Sequence, residues 1–465
     1  MTIFATPIRL RARVAGLVLI GALSAGGAEL DAQVEERFPG VSLGLQYETR
    51  PLPALAIQPF TAPAGAEPLA SQVENIVARD LRYSDRFNVM ANLPTVLARE
   101  GVDYEFWDQI GAVWLVAGRI EGSGNSTVLL LELHDVTYRQ VRQRGRIPIR
   151  ALDSPDFRMS VHVASDAVVQ WAFGEPGIAA TRISFSRRMD DGTQDLWIVD
   201  SDGENLRRLT RHQAMGLGQP ISLGPSWSPD GARIVYQSYK TDGMLRIYET
   251  NLVTGEEKAL PTPRDGDYIT PAYHPDGERI FFGVNGGGLN GIYSYNLVRG
   301  CCFTAVFEGR SNDLSPTFSA DGSRMAFNSN RLGDGAPQIY VMPTSGSGRP
   351  ELVSPYVYDR EGYYTSPDWC RTGGTMLFQG RVFEAGAHQI LVADMERRGP
   401  LVQLTFEGVN EDPSCAPDGR HLVYSATRSS GHSLRIVDMV TGNERTLVSG
   451  IEPVLPAWSP PLPLR

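Results

Sequence analysis

Past residue 183, apolar residues alternate with polar ones in short runs, and the runs are broken by Pro, Asp and Gly at near-regular intervals. Such alternation predicts half-buried β-strands. The recurring unit opens as Pro225-Ser-Trp-Ser-Pro-Asp-Gly231 and returns as Pro271-Ala-Tyr-His-Pro-Asp-Gly277 and Pro316-Thr-Phe-Ser-Ala-Asp-Gly322. A degraded copy, Pro367-Asp-Trp-Cys-Arg-Thr-Gly-Gly374, follows. Pro413-Ser-Cys-Ala-Pro-Asp-Gly419 and the terminal Pro456-Ala-Trp-Ser-Pro460 complete the set. The starts lie 46, 45, 51, 46 and 43 residues apart, a period that marks a propeller or a similar array.

Within the first unit, residues 226–228, 233–237, 245–251 and 257–260 read as four strands. Pro229-Asp-Gly231 forms the first turn, where Pro presets φ and Gly supplies a positive φ. Four antiparallel strands per repeat make a propeller blade. The last copy stops after its first strand, and residues 182–186, 195–200 and 207–210 match the three strands it lacks. The expectation is therefore an all-β six-bladed propeller over 181–465 with one composite blade, which closes the ring and removes exposed edges. A split repeat of this kind argues against an open solenoid.

Residues 51–174 carry a different pattern. Strands are expected at 54–60, 87–91, 112–120, 127–135 and 140–149. Leu69, Val73, Ile76, Val77 and Leu81 fall at helical spacing over 68–81. A second helix is expected from Ser154 (N-cap) and Pro155 (first turn) to about Phe173, burying Val163, Ala167, Val168 and Trp171. This is a small α/β N-terminal domain joined to the propeller at about 174–180.

At the N-terminus, Arg9, Arg11 and Arg13 precede an apolar run over 14–23 and a small-residue stretch from Ser24 to Ala28. That pattern predicts an export signal over 1–32, with cleavage after Ala28 or Ala32. The run is shorter than the roughly 20 residues a membrane span needs. Residues 33–50 then form an extended segment.

The 465 residues carry a formal net charge of −10. This disfavours nucleic acid as a partner. The four cysteines lack a zinc-like spacing. Cys301 and Cys302 as strand neighbours point to opposite faces, so a bond between them would be strained. Cys370 and Cys415 can be free thiols or a bridge. The seven histidines show no ligand spacing, no hydrolase or phosphate-binding motif occurs, and no cofactor, metal or catalytic residue is expected. Asp230, Asp276, Asp321 and Asp418 lie in hairpin turns, where their side chains cap backbone amides. Trp227, Tyr273, Phe318 and Trp369 read as packing between blades, and His274 as structural.

The joins between blades are better candidates for function. They are polar and aromatic, and they lie on the face opposite the Pro-Asp-Gly turns. Arg264, Asp267, Tyr268, Arg310, Ser311, Asn312, Asp313, Tyr364, Asn410 and Glu411 are the candidate contact residues, on loops 264–268, 309–314, 358–366 and 407–412. A mouth rimmed by such residues suits a protein partner.

Three stretches carry a family resemblance: Ala56-Ile-Gln-Pro-Phe60 with Ile76-Val-Ala-Arg-Asp-Leu-Arg82; His162-Val-Ala-Ser-Asp166; and Glu308-Gly-Arg-Ser-Asn312 with Pro456–Pro460. Together with the order of parts they are similar to the TolB family, the periplasmic component of Tol-Pal systems. The resemblance covers nearly the whole chain after the export signal, and its propeller repeats are of the WD40-like (PD40) type. It implies a periplasmic, monomeric protein-binding scaffold, associated with membranes only through its partners. The propeller mouth would hold a peptidoglycan-associated lipoprotein. The N-terminal segment, with Val34, Phe38 and Val41, would engage a TolA-like inner-membrane protein. The role implied is maintenance of the outer membrane and help in cell division. The alternatives are an unrelated exported interaction module, or a propeller hydrolase or lyase acting on carbohydrate or peptide.

Overall fold

The computed structural model describes residues 41–43 and 51–463, apart from 98–100, 212–220, 287–288, 334, 356–361, 382–385 and 398. The export signal, Val34 and Phe38 lie outside the described residues, as does part of the 358–366 loop. Among the described residues no helix is long and apolar enough to cross a membrane.

The N-terminal domain is a five-stranded sheet backed by two helices. Its strands are β2 (Ala54–Ile57), β3 (Asn88–Met90), β4 (Trp114–Glu121), β5 (Val128–Asp135) and β6 (Gln140–Pro148), in the order β3-β2-β4-β5-β6. A separate strand, β1 (Val41–Leu43), pairs in parallel with Leu401–Gln403 on the outer edge of a blade. β2 runs parallel to β3 and β4, whereas β4, β5 and β6 form an antiparallel meander. Helices α1 (Glu67–Tyr83) and α3 (Phe157–Phe173) lie on one face and bury Val73, Ile76, Val77, Leu81, Val161 and Val168 against Leu129, Leu131 and Leu133. The short α2 (Tyr104–Gln109) covers part of the other face with Trp107.

Two details of α3 differ from expectation. Its N-cap is Asp156, which makes no side-chain cap bond. Ser154 instead closes a turn before the helix, its carbonyl accepting from the Phe157 amide at 3.0 Å. Of the four residues expected inside, Val168 is fully buried. Val163, Ala167 and Trp171 are half-buried, because α3 sits at the edge of the sheet over β6 and beside the propeller. The helix ends at Gly174, whose left-handed φ of 74° turns the chain out while its amide still donates to Gln170.

The propeller has six four-stranded blades. Five are continuous, over 222–259, 267–309, 313–352, 363–403 and 409–449. The sixth combines β7 (Arg182–Arg188), β8 (Gln194–Asp200) and β9 (Arg207–Arg208) with the last strand, Glu452–Trp458, paired to β7 in antiparallel register. The inferred composite blade is therefore present. Aromatic residues wedge between blades as expected: Trp227 packs with Leu196 and Ile198 of the neighbouring blade, Phe318 with Phe281 and Ile292, and Trp369 with Ile339 and Val341. Cys370 and Cys415 form a disulfide that ties two successive blades. Cys301 and Cys302 are also bonded. Cys302 takes a left-handed φ of 71°, so this pair departs from the extended geometry that would send neighbouring side chains to opposite faces.

Candidate functional site

Each inner strand runs from one face of the propeller to the other, and four of the six end in an Asp-Gly turn. In those turns Asp230 accepts from the Ala232 amide at 2.9 Å, Asp276 from Glu278 at 2.9 Å, and Asp321 from Ser323 at 3.0 Å. The capping role is as expected. Halfway along, each inner strand carries a bulge just before its Pro. The bulge residues are Gly224, Thr270, Ser315, Ser366, Asp412 and Leu455, all left-handed, with φ between 50° and 59°. Only one of the six is glycine, so five side chains sit in a backbone region that L-residues rarely adopt.

The bulges line an axial channel with a cavity of ≈ 240 Å³. Hydroxyls and carboxylates of one inner strand accept from amides of the next. Ser226 Oγ accepts from Tyr273 at 3.2 Å, Thr317 Oγ1 from Trp369 at 3.0 Å, Asp368 from Cys415 at 2.7 Å, and Ser414 Oγ from Trp458 at 3.0 Å. A second tier at the bulges links Thr270 Oγ1 to the Ser315 amide at 2.9 Å and Asp412 to the Leu455 amide at 3.1 Å. Sequence reasoning did not place carboxylates in the channel, yet Asp368 and Asp412 are there. Burial raises both from the usual carboxylate range, Asp412 to about 6. Their oxygens already accept bonds from blade backbone and from Ser366 or Thr317, which makes them structural links.

At the opposite rim the ten expected contact residues divide. Arg310 and Asn312 are exposed, with Ser311 half-buried between them. The Asn312 amide donates to Asn330 Oδ1 at 2.8 Å, and Asn290 Nδ2 donates to Asn312 Oδ1 at 2.7 Å, so the loop is pinned at its tip. Arg264 pairs with Glu308 and bonds Tyr293. Asp267 accepts from the Leu245 amide at 2.9 Å, and Glu411 pairs with His388 at 2.6 Å. The other four are buried and do not present their side chains. Tyr268 packs on Phe282 and Phe303 while its hydroxyl donates to the Arg264 carbonyl at 3.0 Å. Tyr364 packs on Phe378. Asp313 is held by Arg331 at 2.7 Å, and Asn410 by Gln389 at 2.7 Å and Arg428 at 2.8 Å. Aromatic rings gain more from the gap between blades than from solvent, and the short polar residues satisfy turn groups, so these four shape the rim from beneath. Val41 lies in β1, paired with Leu401.

The α/β domain meets the propeller on the Pro-Asp-Gly face. There His162 Nδ1 contacts Asp80 at 2.8 Å, and Ser165 donates to the same carboxylate at 2.6 Å. Asp202 of the β8–β9 turn lies 3.6 Å from His162 Nε2 and pairs with Arg79 at 2.7 Å and with Arg158. A second cluster joins His421 to Asp418 at 2.6 Å and to Asp85 at 3.2 Å, with Arg420 and Asn443 reaching back to Asp85. Burial alone would lower both imidazoles, but the facing carboxylates win: His162 is raised, and His421 is raised to about 9. Arg79 and Arg158 sit on Asp202 in the first cluster, and Arg420 pairs with the neighbouring Asp438 beside the second, which suits ion pairing and leaves little room for a metal's charge. Asp166 accepts from the Ala179 and Ala180 amides at 2.9 and 2.8 Å, fixing the joint, and burial raises it to about 7. The scattered histidines concealed these clusters in the sequence. The stretches with Asp80 and with His162–Asp166 were nonetheless among those quoted for the family resemblance.

A small α/β domain bonded to one face of a closed six-bladed propeller, with the other rim left clear of it, defines a propeller scaffold. Comparisons narrow the class. Residues 171–462 match the TolB beta propeller domain model, and residues 47–141 match the TolB amino-terminal domain. The chain belongs to the TolB family. The Tol-Pal system protein TolB of Anaeromyxobacter dehalogenans (strain 2CP-C) is 30% identical over 276 residues, covering 58% of this chain and 60% of that protein. Its counterpart in Anaeromyxobacter sp. (strain K) is 29% identical over 275 residues, with the same shares. The alignments thus span about three-fifths of these relatives. The crystal structure of TolB from Acinetobacter baumannii has the same fold, with a TM-score of 0.73 at 24% identity, over 90% of this chain and 99% of that one.

Proposed function

We propose that this chain is a periplasmic scaffold of a Tol-Pal system that works by binding and carries out no chemistry of its own. Its open rim holds a peptidoglycan-associated lipoprotein. The segment with Val34, Phe38 and Val41 engages a TolA-like inner-membrane protein. The link so made supports outer-membrane integrity and cell division. The observation that carries this reading is the rim itself: Arg310 and Asn312 are exposed on a pinned loop, on the face opposite the α/β domain. Family membership supports the choice of partners.

The test is a pull-down with the periplasmic domain of the lipoprotein. Arg310→Glu with Asn312→Ala should weaken retention by about tenfold or more, the scale of losing one good polar anchor. The thermal melt should shift little, because both side chains are exposed and the Asn312 amide keeps its bond to Asn330. Full retention would count against the rim. Tyr364→Ala is unsuitable for this test, since it removes a buried ring.

A further inference from the structure

The α/β sheet ends in a strand with no partner on its outer side. Among the described residues nothing pairs with the far edge of β6. The Ile149 amide donates to the Thr127 carbonyl at 3.0 Å, so by alternation residues 143, 145 and 147 turn their backbone groups toward β5. Arg144 and Arg146 then present both N–H and C=O at the free edge. Pro148, with no N–H, is placed where an edge tolerates it. The face toward α3 is sealed: Ile147 belongs to the core, and a Cβ on Gly145 would meet Trp171 at 3.0 Å.

The outermost strand of the open face and the turn before it carry a row of arginines, with Glu132 and Glu121 on the strands further in. Arg139, Arg142, Arg144 and Arg146 are all exposed, in a chain whose net charge is −10. Arg144 and Arg146 reach Glu132 and Glu121 at 3.6 and 3.1 Å but remain 70% and 66% exposed. No ion pair to Arg139 or Arg142 occurs among the described residues. Tyr138 stands beside them, 75% exposed. Charges on an edge also guard against aggregation. A guard needs no exposed tyrosine, however, and the Tyr/Arg composition is that of binding anchors. Planar guanidinium forks match carboxylates in particular.

We propose that the free edge of β6 takes up an extended acidic peptide segment of a partner protein as a sixth strand. The strand contributes backbone bonds to Arg144 and Arg146, and its alternate Glu or Asp side chains face the arginine row. This surface is separate from the propeller rim, and the proposal does not depend on what the rim binds.

The probe is a short, blocked, fluorescent peptide of alternating Thr and Glu, titrated against the chain lacking its export signal and followed by anisotropy. Saturable binding is expected. Methylating the backbone nitrogens of alternate residues keeps the charge but removes the strand donors, and should weaken binding by about tenfold or more. Replacing Glu by Lys should abolish it. Arg144→Glu with Arg146→Glu should do the same without moving the melting temperature. Arg144→Ala with Arg146→Ala serves if the charge reversal disturbs folding. The proposal is overturned if the methylated peptide binds equally, since charge alone would then suffice. It also fails if no peptide binds while vesicles of anionic phospholipid sediment the protein through these arginines, or if the peptide binds neither edge nor variant differently.

Discussion

Between blades, neutral groups do most of the joining: Ser226, Thr317 and Ser414 accept from amides across the seam, with Asp368 and Asp412 the carboxylates among the acceptors, and Trp227, Phe318, Trp369 and Trp458 fill the gap beside them. Between the α/β domain and the propeller, buried charge does it, with His162 and His421 each held among carboxylates. A repeated seam can be built from one short motif, because four of the six inner strands supply an acceptor (Ser226, Thr317, Asp368 or Ser414) and five supply an aromatic ring at the equivalent position. The domain seam occurs once and joins unlike surfaces. Ion pairs there fix a single relative placement, at the cost of desolvating several charges. The two seams should therefore respond differently to mutation and to pH.

The largest effect should come from the seam that closes the ring. Trp458 is 6% exposed, and its indole donates to Thr181 at 2.8 Å. Trp458→Ala should cost about 3–5 kcal/mol in denaturant unfolding, the usual range for a buried aromatic.

His421→Gln should cost about 3 kcal/mol, since it leaves Asp418 and Asp85 facing each other without a cation. The same variant checks the pH contrast. His421 has its folded pKa raised to about 9. Its contribution is fully present below its unfolded value near 6.5 and is lost as pH rises through 9. Asp166, raised to about 7 by burial, acts in the same direction as pH climbs from about 4 to 7. Asp418 is lowered to about 2: burial would raise it, but His421 and the turn amides outweigh that. Its contribution is present above about 4 and lost on acidification toward 2. Stability should thus be highest near pH 4, decline as Asp412 and Asp166 ionise toward about 6 and 7, and fall further toward pH 9. His421→Gln should flatten the alkaline limb, as measured by unfolding midpoints across that range.

Replacing both Cys370 and Cys415 by Ser should cost about 2–4 kcal/mol, the usual range for a disulfide, here one closing a loop of sequence separation 45. The melt of the unmutated chain should fall similarly under reductant. Thr317→Val removes the acceptor for the buried Trp369 amide at nearly constant volume. It should cost about 1–2 kcal/mol and, by removing a donor to Asp368, push that carboxyl slightly further up. Smallest is Leu455→Gly. Glycine relieves the left-handed backbone at φ 52° but loses a half-buried side chain. The net change should stay below about 1 kcal/mol by thermal melt; a larger loss would mean that the leucine, and not the bulge geometry, stabilises the channel wall.

The candidate site was less legible than the fold. Arg310 and Asn312 stay exposed at a polar loop tip. Tyr268, Tyr364, Asp313 and Asn410 lie in the same loops, yet their side chains turn inward toward rings and turn groups contributed by other parts of the chain. Nothing in a local stretch reports that choice. Asp412 and Asp368 entered the channel unnoticed because the bulge that aims them is a property of strand pairing. The vicinal Cys301–Cys302 bond was missed because extended geometry was assumed at Cys302.

Taken alone, the order of residues determined the blade count, the composite closing blade and the capping role of the turn aspartates. These follow from periodicity and from short-range preferences of Pro, Asp and Gly, which need no distant partner. Folding in three dimensions decided which histidines carry charge, which rim residues face solvent and which sheet edge stays free. Each of those depends on groups brought together from far apart in the chain, as Asp85 and His421 are, and the energies of burial and pairing act on that proximity.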